Sequence, residues 1–212
     1  RLVYGIRATV FLSLLTMAIT SALGACVGLV SGFFRNRIDD VLMRICDVMM
    51  SFPSEVMILA IVGMTGPGLE NVVIANVVAK WPWYARMVRS IVRQYSDKDY
   101  IRFAKVAGGS SIRIMMRHLL PGTAGELFVL TTLDTGSVIL MISALSFLGL
   151  GVQPPTPEWG MMLNEAKEVM TLYPLQMIPA GMAILLVVAA FNFLGDSLRD
   201  AFDPKHAGRE RS

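Results

Sequence analysis

Long uninterrupted apolar runs dominate the hydropathy pattern of the chain. Residues 8–34 and 169–195 each form a run of 27 residues without Asp, Glu, Lys or Arg. A helix of about 20 apolar residues crosses the hydrocarbon core of a bilayer, and these runs lack the alternation of apolar and polar residues that barrel strands show. Because lipid cannot hydrogen-bond to the backbone, the pattern predicts an all-α, polytopic transmembrane helical bundle.

The same pattern predicts five spans in this chain. Pro53 lies inside the second span, where its missing N–H group should kink or break the helix, and residues 66–68 form the Gly-Pro-Gly turn that follows. Lys80, Trp81 and Pro82 interrupt the third span. We expect the spans at about 8–34, 41–64, 69–92, 127–150 and 174–195.

Small residues follow one side of the first span. Gly24, Gly28 and Gly32 recur at four-residue intervals, which places them on one helix face. Such a stripe lets a neighbouring transmembrane helix approach closely. It therefore predicts helix packing rather than a binding site.

The composition supports a membrane protein and argues against a nucleic-acid partner. Hydrophobic residues make up 54% of the 212 residues and charged residues 17%, compared with roughly 25% charged residues in average soluble domains. The formal net charge is +3, but basic residues in membrane chains mark cytoplasmic loops. Cys26 and Cys46 lie in apolar segments and predict neither a disulfide framework nor a metal site.

The distribution of basic residues predicts an orientation. Alternating loops contain 15 and 3 Lys and Arg residues, with one further lysine inside a span. The positive-inside rule then places the segment 94–121 and the C-terminus in the cytoplasm and Arg1 on the opposite side. Since no signal peptide is visible, we expect a sixth, N-terminal span ahead of this sequence. The whole of 1–212 is one predicted transmembrane domain, and the loop 153–173, with a short interfacial helix at 161–170, is extracytoplasmic.

The cytoplasmic loop contains an amphipathic helix pattern within residues 96–109. Residues 96–99 have the spacing of a capping box, and Gly108-Gly109 should end the helix. Its apolar face would either bind a protein or lie on the lipid interface, and the pattern allows both. A second, basic helix follows, capped by Ser110 or Ser111. The apolar face, at i, i+3, i+4 and i+7, consists of Tyr100, Phe103, Ala104 and Ala107.

This loop resembles the coupling motif of binding-protein-dependent ABC importer permeases. In that family the motif reads E-A-A, three residues, Gly, nine residues, I-x-L-P. The chain has the second alanine, the glycine and the final Leu-Pro pair. It differs, with the spacing intact, at Arg102, Phe103 and His118. The resemblance implies that the ATPase-coupling residues are Asp99, Tyr100, Arg102, Phe103, Ala104, Ala107, Gly108, Leu120 and Pro121.

The resemblance covers essentially the whole chain and indicates the dipeptide, oligopeptide and nickel branch of the family. Three segments, 81–89, 132–134 and 174–177, are more similar to nickel permeases than to peptide permeases. We therefore expect nickel or a metal chelate as cargo, with dipeptides or oligopeptides as the alternative. Other segments similar to this branch are 35–53, 66–71, 145–152, 155–160 and 191–200.

The resemblance implies a multi-pass subunit of the bacterial inner membrane that works within a larger complex. Its implied partners in the lipid bilayer and beside it are a second permease subunit, forming a heterodimer, two cytoplasmic ATP-binding subunits and an external solute-binding protein. The partner subunits use ATP, so this chain is expected to be no enzyme and to bind no cofactor. The sequence contains no G-x-x-x-x-G-K-[ST], H-E-x-x-H or G-x-S-x-G motif, which also disfavours a membrane-embedded hydrolase.

Charged residues inside the predicted spans are candidates for the translocation pathway, because charges within a membrane are costly. Asp47, Glu55 and Asp134 are the candidate pathway residues. The alternative is internal pairing, for example of Lys80 with a carboxylate. The three carboxylates also permit a hypothesis of another class, a proton-coupled secondary transporter. The 15 Met residues are scattered as in ordinary membrane packing, so we expect no fixed metal site.

Overall fold

The computed structural model describes residues 1–202, and its regular elements in that range are helices. This confirms the predicted all-α class. A π-helical segment, Met115–Leu119, and a 3₁₀-helical turn, Pro174–Met177, accompany the α-helices. The last part of the predicted charged tail lies outside the described residues. It contains Pro204, Lys205, His206, Arg209 and Arg211. The α-helices within 1–202 are α1 (Leu2–Phe34), α2 (Arg37–Met50), α3 (Ser54–Thr65), α4 (Leu69–Ser96), α5 (Asp99–Val106), α6 (Ser111–Ile114), α7 (Leu120–Phe147), α8 (Trp159–Glu168) and α9 (Ile178–Phe202).

Three helical segments are long and apolar enough to cross a membrane: Leu2–Phe34, Ser111–Phe147 and Pro174–Phe202. α2 and α3 pass the same test as a pair bent by 80°, so residues 1–202 contain three such spans, or four if this pair is one broken span. Pro53 is the N-cap residue of α3, which confirms the predicted break. α4 has 28 residues, or about 42 Å at 1.5 Å per residue. It is long enough to cross a membrane, but its charged residues make it less apolar than the three candidate spans. The five-span arrangement therefore stays a prediction.

Two predicted helix boundaries are wrong. α4 runs unbroken through Pro82, although the sequence predicts an interruption there. Pro82 is buried in the bundle, where neighbouring helices compensate for a lost backbone hydrogen bond. The fourth predicted span, 127–150, begins much earlier, since α6, the π-helical segment and α7 form one continuous stretch. The π-helical turn lets the helix continue up to Pro121 instead of ending before it.

The most extensive packing in the bundle joins α1 to α4. A Cβ atom at Gly24 would overlap with Cβ of Tyr84, and one at Gly28 would lie 2.7 Å from the carbonyl oxygen of Ala85. Both separations are shorter than van der Waals contact, so a larger residue would push the two helices apart. The predicted role of the glycine stripe in helix packing is confirmed.

α8 closes one end of the bundle and is held there by a buried carboxylate. Glu158 caps α8 by accepting a hydrogen bond from the backbone N–H of Met161 at 2.9 Å. The hydroxyls of Thr9 in α1 and Ser143 in α7 donate to the same carboxylate at 3.0 and 3.1 Å. Trp159, the first residue of α8, is also buried. The predicted short helix therefore exists, and it packs against the bundle.

Candidate functional site

A cavity of about 590 Å³ lies between α4, α7 and the break that separates α2 from α3. The bend at Pro53 opens this space, because α3 turns away from α2 by 80°. Two of the three candidate pathway carboxylates, Glu55 and Asp134, line the cavity together with Lys80. The other lining residues are Met49, Met50, Phe52, Pro53, Ser54, Ala79, Trp83, Tyr84, Leu130, Leu133 and Ser137.

Lys80 and Asp134 form an ion pair on the cavity wall. The Lys80 ammonium donates to both carboxylate oxygens of Asp134, with Nζ–O distances of 2.7 and 2.8 Å. The Tyr84 hydroxyl donates to Oδ2 of Asp134 at 3.2 Å. The Lys80 and Asp134 side chains are 18% and 21% exposed, so the pair is partly open to the cavity. Internal pairing, one of the two interpretations of these charges, is confirmed for Lys80 and Asp134.

Glu55 and Asp47 occupy different environments. Glu55 is the second residue of α3, where the partial positive charge of the helix N-terminus stabilises a carboxylate. It forms no ion pair with any residue in the range 1–202. Asp47 instead pairs with Arg86 on α4 and does not belong to the cavity lining. The structure thus brings together Glu55, Lys80 and Asp134 and leaves Asp47 outside.

Sequence reasoning misses several lining residues. Met49, Met50 and Trp83 resemble ordinary apolar packing residues, because a single sequence does not show which side of a bent helix is empty. Tyr84 could have been found, since it follows Lys80 by four residues and the i, i+4 spacing places both on one helix face.

The cavity has no preformed cage for a cation. Within residues 1–202, no three His, Cys, Asp or Glu side chains lie close enough together to hold a metal ion. A carboxylate that is already neutralised by Lys80 attracts a free cation only weakly. The lining therefore offers an ammonium group, two carboxylates and apolar surface to a solute.

The second candidate surface is α5, at the end of the bundle opposite to α8. Ile101 is completely buried against side chains of α1 and α4, and Ala104 is partly buried on the same side. In contrast, Phe103 and Val106 are 72% and 87% exposed, and Tyr100 is 46% exposed. α5 is therefore anchored by one face and presents a second, apolar face to the surroundings. Ala104 belongs to the anchoring face, and Val106 extends the exposed face beyond the predicted set.

The remaining motif residues divide between the surface and the interior. Leu120 is partly buried and packs within the same apolar cluster as Ile101. Gly108 has φ 79°, in the left-handed region that favours glycine, and a Cβ atom there would meet no other atom within 4 Å. It ends α5, as predicted, with no side chain above the surface. The exposed residues are Asp99, Arg102, Ala107 and Pro121.

The predicted capping box at residues 96–99 is wrong. Ser96 is the last residue of α4 and is buried, and Lys98 is the N-cap of α5 without a side-chain hydrogen bond. Packing of α4 on α1 extends α4 through the polar residues, so tertiary contacts override the local capping signal. Ser110, by contrast, is confirmed as the cap of α6, because its hydroxyl accepts from the N–H of Arg113 at 3.4 Å.

Ion pairs connect the base of α5 to the bundle. Arg35 donates to Oδ1 of Asp97 at 2.9 Å and to the carbonyl oxygen of Arg93 at 2.7 Å, which links the end of α1 to the junction of α4 and α5. The hydrogen bond from Arg35 holds the pKa of Asp97 below its ordinary value. Asp39 of α2 is buried and pairs with Arg89 and Arg93 of α4. These interactions connect α1 and α2 to the C-terminal part of α4 and to its junction with α5.

Comparison with known sequences identifies proteins that are similar to most of this chain. The chain is 44% identical over 174 residues to the metal-staphylopine import system permease protein CntC of Staphylococcus aureus, which is 82% of this chain and 60% of that protein. It is 41% identical over 182 residues to the nickel transport system permease protein NikC of Escherichia coli strain K12, covering 86% of this chain and 66% of NikC. It is 40% identical over 205 residues to the glutathione transport system permease protein GsiD of Pectobacterium atrosepticum, covering 97% and 68%.

The fold also has a counterpart among solved structures. A chain of the MetNI methionine ABC transporter, in inward-facing conformations, matches with a TM-score of 0.74 at 18% identity, over 95% of this chain and 96% of that chain. This likeness supports the fold. The matched region spans 60% and 66% of the lengths of CntC and NikC. Residues 24–207 match the family described as "binding-protein-dependent transport system inner membrane component", and the chain belongs to that family.

Proposed function

We propose that the chain is a membrane-spanning permease subunit of an ATP-driven importer in the bacterial inner membrane. The observation that carries this proposal is the exposed apolar face of α5 in a chain of this family. Such a face fits the mode of recognition in which an amphipathic helix lies in a groove of a partner. The chain is a transport component and not an enzyme. Two cytoplasmic ATP-binding partners hydrolyse ATP, and this chain binds no cofactor.

The proposal includes an arrangement in the membrane. α1, the α2–α3 pair, α4, α7 and α9 form five spans, with α5 and the C-terminus in the cytoplasm and the loop 153–173 outside. Two observations support it: α5 and α8 lie at opposite ends of the bundle, and Lys and Arg residues concentrate towards the α5 end. A second permease subunit forms a heterodimer with this chain, and an external solute-binding protein delivers the cargo.

The proposed mechanism depends on the contacts that hold α5 against α1 and α4. α5 lies in a groove of one ATP-binding subunit, and closure of the two ATP-binding subunits displaces it. Because Ile101 and the Arg35–Asp97 pair fasten α5 to α1 and α4, the displacement reaches the helices that line the cavity. The cavity then opens alternately towards the outside and towards the cytoplasm.

The names of the relatives indicate the cargo class. Permeases for metal-staphylopine, nickel and glutathione all match the chain at 40–44% identity. We propose nickel or a metal chelate as the cargo, with dipeptides or oligopeptides as the alternative. The cavity of about 590 Å³ lies within the range of roughly 300–1,000 Å³ that small-molecule sites occupy.

The test is uptake by a deletion strain that carries the full-length gene. Labelled nickel, with and without histidine, and a labelled dipeptide are compared for the wild type, Gly108→Glu and Gly108→Ala. Alanine adds only the strain of a left-handed backbone conformation, about 1–2 kcal/mol. Glutamate adds the same strain and also places a charged side chain beside the exposed apolar face of α5. We expect uptake by the wild type and Gly108→Ala, and a loss of about tenfold or more in Gly108→Glu with normal insertion.

The outcomes separate the hypotheses. Dipeptide uptake in place of nickel uptake would retain the permease assignment and change the cargo. Uptake that survives ATP depletion but stops when the proton gradient collapses would favour the proton-coupled secondary transporter. Normal uptake by Gly108→Glu would contradict the coupling role of the α5 region.

A further inference from the structure

The Lys80–Asp134 pair has unused hydrogen-bonding capacity on its cavity side. A lysine ammonium has three N–H donors, and the two bonds to Asp134 leave one donor without a partner among residues 1–202. Both side chains are partly exposed to the cavity. Lys80 is also the single basic side chain among the described residues of the lining. A negatively charged group that enters the cavity therefore meets the remaining N–H donor of the Lys80 ammonium, at a fixed position.

Helix packing alone does not account for this pair. Charges in a membrane interior are costly, and apolar residues of similar volume often replace a buried ion pair without loss of stability. The wall beside the pair already contains Leu130 and Leu133, which would pack well against apolar side chains. The presence of charges at an open cavity therefore indicates a role in binding.

We propose that Lys80 binds a carboxylate group of the cargo as it passes through the cavity, and that Asp134 and Tyr84 are positioning residues for the Lys80 ammonium. This inference rests on the proposed function, since it requires that the cargo crosses this cavity. The ligand class is a small organic solute with a free carboxylate, either a peptide or a carboxylate-bearing metal chelate. A bare divalent cation gains little here, because Lys80 already neutralises Asp134 and no group of side chains within residues 1–202 could hold a metal ion.

The rest of the lining suits a solute of this class. Glu55 projects from the wall formed by α3 and forms no ion pair within residues 1–202, so it accepts the positive end of a zwitterion. Trp83 and Met49 provide apolar surface for the body of the solute. Glu55 on one wall and the unused N–H donor of Lys80 on another orient a zwitterion across the cavity, with its carboxylate towards Lys80 of α4.

The test uses the complete transporter in proteoliposomes together with its solute-binding protein. The probes are the nickel–histidine complex, glutathione and a dipeptide, and the readout is the number of probe molecules transported per ATP hydrolysed. The variant Lys80→Met/Asp134→Asn removes both charges and leaves neither uncompensated. Its matched control, Arg1→Met/Glu165→Gln, removes an ion pair outside the cavity, between the N-terminus of α1 and α8. We expect a fall of about tenfold in the cavity variant, little change in the control and substantial transport by Lys80→Arg, which keeps the positive charge.

A purely structural role predicts a different pattern. In that case Lys80→Met alone would be defective, because Asp134 loses its partner, and the double variant would recover. A double variant that transports as well as the wild type, or that fails to assemble with its partners, would overturn the inference and assign the pair a structural role. The proposed function is tested by the wild type alone: no ATP-dependent transport of any of the three probes would contradict it.

Discussion

Glu158 combines complete burial with an ionisable side chain. Its carboxylate accepts hydrogen bonds from the hydroxyls of Thr9 and Ser143 and from the N–H of Met161. A buried carboxylate is tolerated when such donors replace its lost hydration. Because the donors belong to α1, α7 and α8, this one residue joins three helices at the end of the bundle opposite to α5.

The substitution Glu158→Gln should destabilise the protein. The amide replaces one acceptor oxygen with an NH₂ donor, so at least one of the three donors loses its acceptor, at a cost of about 1–3 kcal/mol. The measurement is the thermal unfolding midpoint of the full-length protein in detergent. Glu168→Gln, on an exposed position of the same helix, is the control and should leave the midpoint unchanged. Equal midpoints for the two variants would refute the joining role of Glu158.

Individual residues also show why part of the site is beyond sequence reasoning. Lys80 and Asp134 are conspicuous because charges are rare in apolar runs. Their pairing is not predictable, since 54 residues separate them and the choice of partner depends on how α4 and α7 are rotated. Glu158 escapes notice for the opposite reason, because a carboxylate in a loop carries no sign that it becomes buried.

The contact between α1 and α4 depends on the absence of a side chain at the glycine stripe. Gly28→Ala should therefore lower the stability, because its Cβ would lie 2.7 Å from a backbone oxygen of α4 and the helices must separate, at a cost of about 1–3 kcal/mol. Gly63→Ala is the matched control, since a Cβ atom there meets nothing within 4 Å and alanine favours the helix. The unfolding midpoints of the two variants decide the point. A midpoint for Gly28→Ala at or above the wild-type value would show that the contact is not tight.

Two prolines within predicted spans have different effects on their helices. Pro53 ends one helix and begins the next, with a bend of 80°, whereas Pro82 lies inside an unbroken α4. The local chemistry of the two residues is the same. Pro53 is exposed and borders the cavity, but Pro82 is buried within the bundle. Tertiary packing therefore decides whether a proline breaks the helix, and a local pattern predicts only the possibility.

For the molecule as a whole, the membrane class and the family follow from features that are local in sequence. Apolar runs of 27 residues specify helical spans, and the motif around Gly108 keeps its spacing despite the changes at Arg102, Phe103 and His118. The cavity has no such local signal, because it results from the angle between α2 and α3 and from the placement of α4 and α7. The exposed face of α5 is predictable in part. The periodicity predicts an amphipathic helix, but only the packing of Ile101 and Ala104 shows which side of that helix is free.

The central claim is that the exposed face of α5 binds an ATP-binding subunit. Phe103→Asp places a charge within that face, where burial against a partner would be costly. Leu172→Asp, in the loop 153–173, is the matched control because Leu172 is 74% exposed and Phe103 is 72% exposed. The measurement is co-purification of the transporter's own ATP-binding subunit with the tagged, full-length permease. We expect the wild type and Leu172→Asp to retain this subunit and Phe103→Asp to retain about tenfold less or none; equal retention by Phe103→Asp and the wild type would contradict the account.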